Sequence, residues 1–108
     1  MTVLITNEAA LTGFAQAIYG PLESEDERLV GFLSTYSDPL ALSQLLDQLG
    51  SPQKRFVVVM SFGLDGQDPL RAKIISHSLA ITRDTVRREL AASLRIFRRC
   101  DALRRQPA

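Results

Sequence analysis

Apolar residues recur along this chain at helical spacing, interrupted by cap, proline and glycine signals. The pattern predicts six helices and no convincing strand. Leu11, Phe14, Ala15 and Ile18 share one face of a first helix over about residues 8–19, with Asn7 as its cap and Gly20-Pro21 as its stop. Ser24 and Glu27 have the spacing of a capping box. The helix they open, to about Tyr36, carries the stripe Leu29, Phe32, Leu33 and Tyr36. Asp38-Pro39 and Ser51-Pro52 each set a cap before a proline, which starts a third and a fourth helix. The third runs to Leu49 and stops at Gly50. Phe56-Val57-Val58-Val59-Met60 has strand propensity, and so short an apolar run cannot be assigned by periodicity. The cap and proline ahead of it and Gly63 behind it favour helix, which tolerates valine at a small cost. A turn-rich loop, Leu64 to Pro69, leads to a short fifth helix over about residues 70–78. Leu79-Ala80-Ile81 is a tight turn, and Thr82 caps a last helix running to about Arg105. On that helix Val86, Leu90, Leu94 and Phe97 form the buried side. The expected fold is all-α: a small helical domain with a C-terminal helix-turn-helix over residues 44–108, preceded by an acidic helical segment over residues 1–43.

Charge sharpens this picture. The net charge of +1 conceals a division. Residues 1–70 carry three bases against nine acids, net −6, and residues 71–108 carry ten bases against three acids, net +7. A basic half joined to an acidic half predicts a nucleic-acid face on one side and a different role for the other. Nine of those ten bases are arginine, whose planar fork suits bidentate contacts to phosphate or guanine. In a helix-turn-helix, the second helix presents its first turns to the major groove and packs its other face on the first helix. Arg83, Asp84, Arg87 and Arg88 fall outside the apolar stripe, as that arrangement requires. The Thr82 cap leaves a helix N-terminus whose dipole favours phosphate. Arginine pairs with two guanine acceptors and an acid accepts from a cytosine amine, so Arg83 and Asp84 together suit neighbouring bases.

Three stretches carry a resemblance: Phe62-Gly63-Leu64-Asp65-Gly66, Ile81-Thr82-Arg83-Asp84-Thr85-Val86-Arg87-Arg88 and Ser93-Leu94-Arg95-Ile96-Phe97-Arg98. They resemble domain 4 of the sigma-70 family of bacterial RNA polymerase sigma factors, the helix-turn-helix that reads the promoter −35 element. That family shows a Phe/Tyr-Gly-Leu-Asp-Gly loop, then Val-Thr-Arg-Glu-Arg-Ile-Arg-Gln, then Ala-Leu-Arg-Lys-Leu-Arg. The likeness covers about residues 44–100 and runs without a gap from Ile81 to Arg98. It implies that Arg83, Asp84 and Arg88 contact bases. Thr82, Arg87, Lys73, Arg71 and Arg95 are the candidates for contacts to the DNA backbone. It also implies docking on the flap of the RNA polymerase β subunit through a concave apolar surface.

Departures from the family pattern bear on function. Arg71-Ala72-Lys73-Ile74-Ile75-Ser76 stands where the family has Thr-Leu-Glu-Glu-Ile-Gly, so an acidic pair becomes lysine and isoleucine. Arg88 replaces glutamine and Asp84 replaces glutamate, which points to a shifted base preference. A chain of 108 residues has no room for domain 2, the part that opens DNA at the −10 element. The expectation is a short stand-alone sigma-4-like protein.

The remaining candidates are plainer. Glu23, Glu25, Asp26 and Glu27 suit the dipole of a helix start, or form an acidic face for a basic partner. His77 has no second ligand near it, and a surface or half-buried histidine fits better than a metal site. Cys100 is the single cysteine and cannot form an internal disulfide, which suits a reducing cytoplasm. No apolar run approaches membrane-spanning length. No phosphate loop, zinc spacing or nucleophile with its base is present, so neither enzyme activity nor a cofactor or metal is expected. Two functions remain open. One is a cytoplasmic transcription regulator that binds promoter-type double-stranded DNA, with or without RNA polymerase, its N-terminal helices supplying either dimerisation or a partner contact. The other is a protein–protein module that docks on RNA polymerase or on a sigma-binding regulator without reading DNA.

Overall fold

The fold follows from where each amphipathic stripe finds a partner. A computed structural model describes residues 3–100, and these form six helices: α1 (Glu8–Tyr19), α2 (Glu27–Tyr36), α3 (Pro39–Asp47), α4 (Pro52–Phe62), α5 (Ala72–Leu79) and α6 (Arg83–Arg98). Among the described residues the one β feature is an isolated parallel bridge between Ile5 and Asp65. The all-α class is therefore as the periodicity predicts.

Local capping chemistry starts the helices. Asn7, Asp38, Ser51 and Thr82 cap α1, α3, α4 and α6, and each accepts a backbone N–H from the first turn. α4 takes in Val57, Val58 and Val59, all buried, so its cap, Pro52 and the left-handed Gly63 outweigh the strand propensity of the run. Gly63 has φ 69°, and a Cβ there would run into the Gln67 carbonyl oxygen.

Four boundaries differ from the expected ones. α3 ends at Asp47, with Gln48 as its cap, two residues short of Leu49. α2 opens at Asp26, not at a Ser24–Glu27 capping box. The Asp26 carboxylate accepts the Arg28 backbone N–H at 2.9 Å and holds the Arg28 guanidinium at 3.0 Å. Such charge-assisted bonds outcompete a serine hydroxyl. α5 starts at Ala72, because Leu70 donates its N–H to the Met60 carbonyl at 2.9 Å and is tied to α4. α6 ends at Arg98, short of the expected Arg105. Arg99 closes it, and the Cys100 N–H tightens the last turn onto the Phe97 carbonyl at 3.0 Å. Residues 101–105 of that expectation lie outside the described residues.

Phe14 of α1 is fully buried at the centre of the main core. Its ring meets Phe32 of α2 at 5.6 Å, Phe62 of α4 at 5.1 Å and Phe97 of α6 at 5.2 Å. Leu4, Leu11, Ile18, Leu29, Leu42, Leu46 and Leu64 belong to the same cluster. Residue 43 lies inside α3, and the segment ahead of it shares this core with α4 and α6. A smaller cluster of Val57, Ile75 and Val86 joins α4, α5 and α6. The extended segment before α1 is also part of the packing: Leu4 is buried, and Ile5 donates its N–H to the Leu64 carbonyl at 3.0 Å.

Burial also sets the ionisation of both tyrosines. It pushes the Tyr36 phenol up to about 12, and it raises Tyr19 against the opposing pull of Arg28, which lies over the Tyr19 ring at 5.9 Å. The unfolded chain releases these protons near pH 10. Between pH 10 and 12 the unfolded state thus binds fewer protons than the folded one, and stability falls as pH rises through that window. An alkaline titration followed by tyrosinate absorbance is expected to show ionisation arriving together with unfolding. A tyrosine ionising near pH 10 in an intact fold would contradict this burial.

Candidate nucleic-acid interface

The C-terminal helix pair depends on one tight turn. Ala80 adopts a left-handed conformation, φ 56° and ψ 43°, as the C-cap of α5. Its N–H reaches the His77 carbonyl, and the Ile81 N–H reaches the Ser76 carbonyl at 3.0 Å. The chain then re-enters a helix at Thr82. The Thr82 hydroxyl accepts the Thr85 N–H at 3.1 Å and shares a 2.8 Å hydrogen bond with the Thr85 hydroxyl. Ser76 of α5 is buried, and its hydroxyl donates to the Lys73 carbonyl at 2.7 Å.

α6 presents two unlike sides. Val86, Ser93 and Phe97 are buried. At about 100° per residue, Asp84, Arg88, Ala91 and Arg95 fall on the opposite side in one stripe. Arg87 borders this stripe on one side, Arg83 lies further round on that same side and nearer the buried face, and all five charged residues are exposed. Arg88 and Arg95 stand roughly 10 Å apart along the helix axis, a spacing on the scale of a groove. Arg87 donates to the Asp84 carboxylate at 3.4 Å, and Arg88 Nε to the Asp84 carbonyl at 3.4 Å. Both bonds are long and exposed, so they order the first turns without tying up the arginines. Asp84, Arg87 and Arg88 are therefore brought together, with Arg83 next to them. Arg71 and Lys73 are exposed on the separate α5, at its N-cap and first turn. Among the described residues the side chains of Arg71, Lys73, Arg83 and Arg95 make no hydrogen bond or ion pair.

Several residues that set this geometry give no sequence signal of their own. The Glu89 carboxylate accepts from Lys54 Nζ at 3.2 Å and from Gln53 Nε2 at 3.0 Å, which clamps α6 to the first turn of α4. Arg98 turns back across the fold, and its Nε and Nη2 donate to the Ile18 and Ala17 carbonyls at 2.8 and 2.9 Å. It thus satisfies carbonyls that the end of α1 leaves free, at a helix terminus that favours a cation. Ser93, fully buried, donates to the Glu89 carbonyl at 2.7 Å and needs no outside partner. The available hint for the clamp is a single acid beside the apolar stripe of a basic helix.

A second surface lies between α3 and α4. Leu46, Pro52, Phe56 and Val59 line an open, mostly apolar groove of about 370 Å³, in which Phe56 is 38% exposed. Arg55 forms one wall, bound to Asp47 at 2.8 Å and to the Ser43 hydroxyl at 2.9 Å. Among the described residues no group of three or more histidine, cysteine or acidic side chains is placed to hold a metal ion. No helix there is long and apolar enough to cross a membrane.

Compared with known proteins, the chain matches no protein-family model, no curated protein and no solved structure.

The turn supplies a direct check. A left-handed conformation costs an L-residue roughly 1–2 kcal/mol, and glycine avoids that cost while adding freedom to the unfolded chain. Ala80→Gly is expected to stabilise the fold by about 0.5–1 kcal/mol and to raise Tm by a few degrees. A lowered Tm would mean that the turn is not left-handed at this position.

Proposed function

We propose that this chain is a transcription regulator whose α6 enters the major groove of promoter-type double-stranded DNA. The observation that carries the reading is the capped, 16-residue α6 with Asp84, Arg88 and Arg95 aligned opposite its buried side. Arg83, Asp84 and Arg88 are assigned to base edges. Thr82, Arg87, Arg95, Arg71 and Lys73 are assigned to phosphates. The resemblance to sigma domain 4 supports the same roles, and it makes RNA polymerase a proposed partner on the DNA. A cytoplasmic location and a dimer formed through the N-terminal helices belong to the same proposal. Dimerisation fits because a single module of this size buries little surface on DNA and binds weakly alone.

The groove between α3 and α4 favours a second reading. Phe56 and its apolar neighbours offer a seat for a partner helix. On this reading the protein docks on the RNA polymerase β flap or on a sigma-binding regulator, and the arginines of α6 are incidental.

Substitutions separate the two. Arg88→Ala and Arg83→Ala leave Tm nearly unchanged, because both side chains are exposed. On the DNA reading each lowers the preference for the cognate site by about 1–3 kcal/mol, the worth of a bidentate pairing with one base. Arg95→Ala weakens binding to every duplex alike and reduces the salt slope by about one. Quantitative competition between cognate and scrambled duplexes measures both effects. Unchanged discrimination in Arg83→Ala and Arg88→Ala, together with failure of Phe56→Ala to capture polymerase, would establish the docking reading instead.

A further inference from the structure

Apolar contacts hold α6 against its neighbours through Val86, Leu90 and Phe97. Burying this face sets the rotation of α6 only to within the width of its apolar stripe, about 100°. Directional bonds remove that freedom, and α6 makes them to other helices at two places. At one, Glu89 takes Lys54 on Oε1 and Gln53 on Oε2, at 3.2 and 3.0 Å. The Glu89 and Lys54 side chains are only 18% and 23% exposed, so solvent screens this pair less than a surface pair. At the other, Arg98 grips the end of α1. The two mounts lie roughly 13 Å apart along the helix.

We propose that Glu89, through Lys54 and Gln53, is a positioning residue that fixes the rotation of α6 and so aims Asp84, Arg88 and Arg95 outward together. The inference rests on the DNA reading for its use, though not for its geometry. Glu89 lies about 100° round the helix from Arg88, so it touches no base. A carboxylate on a helix that meets phosphates works against non-specific binding. The clamp therefore has a signature that a purely stabilising contact lacks. Removing the acid leaves non-specific affinity equal or higher while discrimination falls.

The test has two arms, both on the full chain under conditions where circular dichroism shows it folded. The first uses no DNA. Residual dipolar couplings of backbone amides report the orientation of α6 relative to α4. In Glu89→Ala the α6 couplings are expected to depart from the wild-type orientation, and the exchanged pair Lys54→Glu with Glu89→Lys is expected to restore it. Couplings that stay at wild-type values in Glu89→Ala overturn the inference, whatever the DNA does. The second arm compares affinities for a −35-like and a scrambled duplex. The ratio is expected to fall roughly ten-fold in Glu89→Ala, on the scale of one base contact, while scrambled-duplex binding holds or tightens. An unchanged ratio overturns the inference. A wild-type protein with no preference at all defeats the DNA reading and leaves the first arm to decide the orientation. Should Glu89→Ala fail to fold, Glu89→Gln keeps the shape without the charge and is carried through the same two arms.

Discussion

Phe14 is the contact on which the rest of this structure depends. One buried ring touches aromatic side chains from α2, α4 and α6, so four helices meet at a single residue. Each of those helices is short, between 10 and 16 residues, and helices of that length are marginal alone in water. Their stability comes from burying one amphipathic face. Edge-to-face and stacked aromatic pairs add specific geometry to that burial. α1 therefore serves as a strut beneath the C-terminal helices and is not an appendage to them.

That strut shapes what α6 offers. The helix has apolar support from two clusters, one centred on Phe14 and one on Val57, Ile75 and Val86. Arg98 at its far end and Glu89 at its middle bond to α1 and α4. Within its first turns Val86 packs into the second of these clusters, while Arg83, Asp84, Arg87 and Arg88 face solvent. A rigid helix with an exposed, arginine-rich start is what groove reading requires, and on the proposed function the N-terminal helices contribute by holding it still. α4 has a place in both proposed readings, since its first turn grips Glu89 and its outer face lines the groove with Phe56.

Much of this is legible in the sequence because the controlling interactions are local. A cap and its first-turn N–H lie within three residues, so Asn7, Asp38, Ser51 and Thr82 announce their helices. The stripe Leu11, Phe14, Ala15 and Ile18 is buried as its spacing implies, and Arg83, Asp84, Arg87, Arg88 and Arg95 stand exposed for the same reason. The start of α2 falls elsewhere than its pattern predicts because Ser24 and Asp26 both carry capping chemistry, and the choice goes to the carboxylate that also binds Arg28. The remaining features are long-range. Arg98 and Ile18 are separated by 80 positions, Lys54 and Glu89 by 35, and no periodicity links such pairs. The Ile5–Leu64 contact is hidden likewise, since a short apolar start gives no sign of the loop it covers.

DNA reading by α6 is the central claim, and one experiment addresses it most directly. Binding of the purified protein to a −35-like duplex and to a scrambled duplex is measured across a salt series. Groove reading predicts tighter binding to the −35-like duplex, with a steep fall in affinity as salt rises, because several arginines displace counterions. Equal, weak binding to both duplexes that vanishes at physiological salt would contradict it.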